Sequence, residues 1–178
     1  MKEKSVEITK ENLLEFVESL KDRLKVSKKD IMKGTGTFDK RARTFFANKV
    51  RKWFHHRFDV APEDYVFVEG DEYNIKKEYR KHKFFNSPTN PDAAIIAEDI
   101  PFKIAIELDH GNYGSNVRMA LAKASYSVLL GKTYDQAVVF FFVDSPKRQS
   151  IFTKIEKDET DILDRYKKDD LNTIIHII

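Results

Sequence analysis

Apolar residues recur at helical spacing near the start of the chain. Leu13, Leu14, Phe16, Val17, Leu20 and Leu24 within residues 9–25 predict an amphipathic helix, which Thr9 or Asn12 can cap. Gly34-Thr35-Gly36-Thr37 breaks the pattern. A second helix is expected over about 38–58, where Phe38, Ala42, Phe45, Phe46, Trp53 and Phe54 form a wide aromatic stripe. The flanks of that stripe carry Lys40, Arg41, Arg43, Lys49, Arg51, Lys52 and Arg57, so its edges are suited to meet an anion. Past Pro62, residues 65–68 read as a short strand, 76–83 as an exposed basic segment, and 87–91 as a turn-rich connection. Two apolar runs, 93–97 and 102–109, flank Glu98-Asp99-Ile100-Pro101 and predict a hairpin.

Val117, Leu121, Ala124 and Val128 predict a helix over 115–131, with Ser115 as cap and Gly131 as stop. Residues 136–143 are apolar without alternation, the mark of a strand covered on both faces. A charged helix near 149–167 and a strand near 172–178 complete the pattern, with no internal repeat. From 38 to 143 the order is helix, three strands, helix, strand. A meander followed by a crossover helix and a buried strand implies an α/β fold, with a mixed central sheet flanked by helices.

Composition narrows the chemistry. The 178 residues are enough for one domain with a real core, here expected to run 1–178 with a helical part at about 1–60. No apolar run is long enough to span a bilayer, and the N-terminal residues lack a signal-like stretch, so a cytoplasmic protein without a membrane partner is expected. The absence of cysteine excludes thiolate zinc sites, iron–sulfur clusters and cysteine nucleophiles. Any metal must rest on oxygen or imidazole. Residues 1–91 carry a net charge of +6 and residues 92–178 one of −3, within a total of +3. Such a split suits a protein that grips phosphate with one part and holds a cation with another, and it equally suits a solvated surface.

In the strand 102–109 the period of two sends Phe102, Ile104, Ile106 and Leu108 to one face and Lys103, Ala105, Glu107 and Asp109 to the other. Two carboxylates side by side repel unless a cation sits between them. Asp92 opens the preceding strand of the hairpin, and an antiparallel return brings it toward the same end. Taken singly, each acid reads as a strand-end carboxylate pointing into water. Converging, the three make a hard-cation site suited to Mg²⁺ (or Mn²⁺).

Pro91-Asp92 followed by Ile104-Ala105-Ile106-Glu107-Leu108-Asp109 resembles the PD-(D/E)XK motif of type II restriction endonucleases. The resemblance covers about 38–143 and is closest to the BamHI and BglII kind, in which a Gly-Asn-like stretch and a helix follow the motif. Here that stretch is His110-Gly111-Asn112-Tyr113-Gly114-Ser115-Asn116. The resemblance implies a restriction-endonuclease-like fold and a metal-dependent endonuclease. Asp92, Glu107 and the Leu108 carbonyl would hold the metal, and Asp109, at the place of the usual lysine, would orient or deprotonate water. It further implies double-stranded DNA as substrate, a homodimer matching a palindromic duplex, and a cognate DNA methyltransferase in the same system. A structure-specific or repair nuclease, or an inactive DNA-binding domain, shares the same pattern.

In some members of that family a lysine reaches the site from the following helix, and Lys123, on a face with Asn116, Ala120 and Ser127, is either that lysine or an ordinary helix-surface one. His110 stands beside Asp109 in the chain, and Glu69 or Glu78 is a candidate fourth acid. For DNA contact the candidates are Lys76, Lys77, Arg80, Lys81 and Lys83, and, at the helix start, Asn112, Ser115, Asn116 and Arg118. His55-His56 reads as a solvated or half-buried pair, since adjacent helical residues do not face each other. Gly34-Thr35-Gly36 lacks the Lys-Ser/Thr of a nucleotide-binding loop.

Overall fold

A computed structural model describes residues 5–70, 91–110, 114–129, 134–144 and 173–178. Helix α1 spans Lys10–Met32, and the Thr9 hydroxyl accepts from the Asn12 N–H at 3.2 Å as its cap. The helix runs seven residues beyond the expected end at 25. Arg41 makes the longer end workable: its guanidinium donates to the carbonyls of Ile31 (2.8 Å), Met32 (3.1 Å) and Gly36, which have no helical partner. Gly36, at φ 89°, lets the chain double back to present them.

The expected helix 38–58 is three pieces: α2 (Phe38–Phe45), a π turn (Phe46–Val50) and α3 (Arg51–Phe58). The spacing of its buried residues supplies the reason. Ala42, Phe46, Val50, Phe54 and Phe58 all face the core at steps of four. In a regular α-helix each such step overshoots a turn by roughly 40°, so four of them drift by roughly 160°. The wide π turn absorbs one extra residue, roughly 100° of that drift, and keeps the stripe on the core.

Strands β1 (Val66–Val68), β2 (Ala93–Ala97), β3 (Phe102–His110), β4 (Gln136–Phe142) and β5 (Thr173–Ile177) form one sheet in the order β1-β2-β3-β4-β5. The first three pair antiparallel, and β4 and β5 follow in parallel. Helix α4 (Gly114–Leu129) makes the crossover from β3 to β4. It begins at Gly114, so Ser115 lies within it and is not its cap. The chain is thus an α/β fold with a mixed sheet. The expected helix at 149–167 lies outside the described residues.

Helices lie on both faces. Ile104, Ile106 and Leu108 of β3, with Val138, Phe140 and Phe142 of β4, pack against α1, α2 and α3. On the other side Ala137, Val139 and Phe141 meet Val117, Ala120, Leu121 and Ala124 of α4. Every β4 side chain is buried, as its unbroken apolar run requires. Each fully buried Phe or Leu in these layers contributes about 1.5–3 kcal/mol. Among the described residues, no helix is long and apolar enough to cross a membrane.

Candidate active site

The register of the meander lines up three acids. Val68 pairs with Ala93, and Ala93 with Ile106. One residue further along each strand, the same register sets Glu69, Asp92 and Glu107 in a row across β1, β2 and β3. The Glu69 N–H donates to the Asp92 carbonyl at 2.9 Å, which continues the ladder to that level. The strand alternation holds as read from sequence: Ile104, Ile106 and Leu108 enter the larger core, and Glu107 falls on the α4 side.

Asp92 is 7% exposed and held at both oxygens. Oδ2 accepts from the Leu108 N–H at 2.9 Å. Oδ1 accepts from Arg43 Nε at 2.9 Å and Nη2 at 2.8 Å, and the same Nη2 meets Glu69 Oε2 at 2.7 Å. Arg43 therefore clamps Glu69 to Asp92 from α2.

Glu107 is only 2% exposed, and its Oε1 has no hydrogen-bond partner among the described residues. Its other oxygen lies 3.6 Å from Lys123 Nζ, a charge contact longer than a direct hydrogen bond. Burial pushes the Glu107 carboxyl well above the ordinary range, and the Asp92 charge adds to this against the opposing effect of Lys123. Asp109 is raised to about 6, chiefly by burial, although its Oδ1 accepts from the His110 N–H at 2.6 Å. Lys123 moves the other way from what burial alone would do. The negative charges of Glu107, Asp92 and Asp109 hold it above its usual value.

The structure thus brings together Asp92, Glu107, Lys123 and Glu69, with Asp109 close enough to feel the Asp92 and Lys123 charges. The His110 ring packs edge-on against Phe38, 5.1 Å between centroids, and its backbone N–H donates to Asp109. Arg118 is exposed on α4. Lys76, Lys77, Glu78, Arg80, Lys81, Lys83 and Asn112 lie outside the described residues, as do the side chains of Ser115 and Asn116.

Sequence reasoning missed two participants. Arg43 appears there only among the basic flanks of its helix, and its pairing with Asp92, 49 residues away, depends on how α2 docks. Tyr134 is buried, and the Glu107 charge reinforces burial in keeping its phenol protonated. No sequence signal marks it.

Among the described residues, no cluster of three or more His, Asp or Glu side chains stands as a ready metal site. The donors are taken in part by the protein: Arg43 and the Leu108 N–H occupy Asp92. The orphaned, buried Glu107 oxygen beside a second carboxylate nevertheless fits a hard divalent cation, which prefers all-oxygen ligands. The chain matches no protein-family profile, no curated protein and no solved structure.

Proposed function

We propose that this chain is a metal-dependent endonuclease of the PD-(D/E)XK type that hydrolyses phosphodiester bonds in double-stranded DNA. The observation that carries the reading is the pairing of buried Asp92 and Glu107 at one sheet end, with a Glu107 oxygen that has no partner among the described residues. Two adjacent buried carboxylates destabilise the protein unless a cation or a proton joins them, and sites of this kind concentrate at catalytic centres.

In this reading Asp92, Glu107 and the Leu108 carbonyl would hold Mg²⁺ or Mn²⁺. The ion would supply positive charge for a phosphate oxygen and for the attacking water. Asp109, raised to about 6, is ionised at neutral pH yet basic enough to take a proton from that water. Lys123 reaches the cluster from α4 and replaces the motif lysine, whose place Asp109 occupies. Its charge would stabilise the developing phosphate anion. A homodimer acting on a palindromic duplex, a companion methyltransferase and a cytoplasmic location belong to the same reading.

The clamp of Arg43 on Asp92 favours a second reading, a DNA-binding domain of this fold without catalysis. Incubation of supercoiled plasmid with and without Mg²⁺ separates the two. Nicking that depends on Mg²⁺ and is lost in Glu107→Ala supports the nuclease, whereas binding without nicking supports the module. Discrete fragments from a long duplex would mark sequence specificity.

A further inference from the structure

The cation nearest Asp92 is the protein's own. Arg43 gives two N–H groups to Asp92 Oδ1 and shares one of them with Glu69, while Leu108 takes Oδ2. A carboxylate whose charge an arginine already neutralises attracts a metal ion less until that cation leaves. The Leu108 N–H belongs to a strand backbone and cannot leave. Arg43 can, because its guanidinium ends a long side chain that is 30% exposed. It also lines a groove of about 680 Å³ in which Thr37, Lys40, Thr44 and Asn48 offer donors to an anion beside the carboxylates of Asp39 and Glu69.

We propose that Arg43 is a displaceable counter-ion. It neutralises Asp92 while the site is idle, and a divalent cation gains Asp92 only as Arg43 moves to a backbone phosphate in the groove. The proposal rests on the nuclease reading above and adds a coupling to it. Metal and DNA each bind more tightly in the presence of the other, because each relieves the cost of parting Arg43 from Asp92. Removing Arg43 takes away the cation that bridges Asp92 and Glu69, which raises the affinity of these carboxylates for another cation. Arg43 is thus a positioning residue in the idle protein.

The test is calorimetric titration of the full chain with Mn²⁺, without DNA and then with a short phosphorothioate duplex. Without DNA, Arg43→Gln should bind Mn²⁺ about tenfold more tightly than wild type, with Arg43→Lys between them. The duplex should tighten Mn²⁺ binding to wild type and leave Arg43→Gln unchanged. Equal affinity in wild type and Arg43→Gln, with binding lost in Asp92→Asn, would overturn the counter-ion role and leave the nuclease reading standing. No Mn²⁺ binding in any variant, or binding indifferent to Asp92→Asn, would overturn both. Thermal melting establishes that each variant is folded. Should Arg43→Gln not fold, Arg43→Lys decides, and Mn²⁺ affinity no tighter than wild type overturns the proposal.

Discussion

Folding buries the Glu107 carboxyl and sets the Asp92 charge beside it, so Glu107 resists ionisation. The same pressure acts on Asp109, and its sign has consequences for stability and for rate. Its folded value of about 6 lies above the ordinary 3.8, so between these the folded state binds more protons than the unfolded one. Stability from this group therefore falls as pH rises from about 4 to about 6, and the penalty is fully present above that. Asp109→Asn should raise the melting temperature at pH 8, and the gain should vanish toward pH 4. In the proposed cleavage the effect reverses, because an amide cannot accept a proton. The rate of Asp109→Asn should drop by about a hundredfold or more. Wild-type rate should climb as pH passes about 6 and then level off, and a profile flat from pH 5 to 8 would remove Asp109 from the chemistry. Asp92→Ala and Glu107→Ala should abolish Mg²⁺-dependent cleavage while DNA binding in gel-shift assays stays intact or strengthens. Deleting either carboxylate relieves repulsion toward phosphate, and deleting Asp92 also frees Arg43 for it.

Among the elements, α2, the π turn and α3 act together, because one stripe of core residues at steps of four runs through all of them. Deleting Asn48, an exposed residue of the π turn, removes the one residue that the turn absorbs, so the segment should become a regular helix with the stripe still on the core. Phe54 should keep its packing against Phe16, 5.2 Å between ring centroids. A change of less than about 1 kcal/mol in urea unfolding is expected. A loss of more than about 3 kcal/mol, the scale of removing one buried Phe, would mean that the π turn does not act as a one-residue insertion. Arg41 is the counterpart at the α1 end, where its bonds to backbone carbonyls make Arg41→Ala a loss of about 1–3 kcal/mol. Its neighbour Arg43 makes no contact of that kind and serves the acids instead. Two residues in one helix, spaced by two, thus reach opposite duties.

For the molecule as a whole, the excess of positive charge in residues 1–91 is the feature a polyanion would meet first. If the partner is duplex DNA, each Lys or Arg contact to phosphate releases condensed counterions, so affinity should fall steeply between 50 and about 200 mM salt. Charge reversal at Arg80 and Lys81 should lower affinity for all sequences alike, as expected of contacts that carry no base information. Fluorescence anisotropy with two unrelated duplexes measures both effects. Affinity indifferent to salt and to these substitutions would assign the basic segment to ordinary surface.

What the chain alone determined is what depends on short-range periodicity. Alternation in 102–109 assigned Glu107 and Asp109 to one face, the unbroken run at 136–143 announced a strand buried on both sides, and the Thr9 cap and the hairpin at 93–109 follow from local chemistry. Element order then yielded the mixed sheet, because short links favour antiparallel neighbours and a helix-length link favours a parallel one. Asp92 could be brought to the Glu107 end by counting along the hairpin. What only the tertiary structure decided is what depends on how elements dock. The partnership of Arg43 with Asp92 and Glu69, the approach of Lys123 to Glu107, and the turning of His110 toward Phe38 each depend on the angle and depth at which a helix meets the sheet. Those are set by the packing of many side chains at once, as are the raised carboxyls of Glu107 and Asp109, since burial is a property of the surroundings and not of the residue.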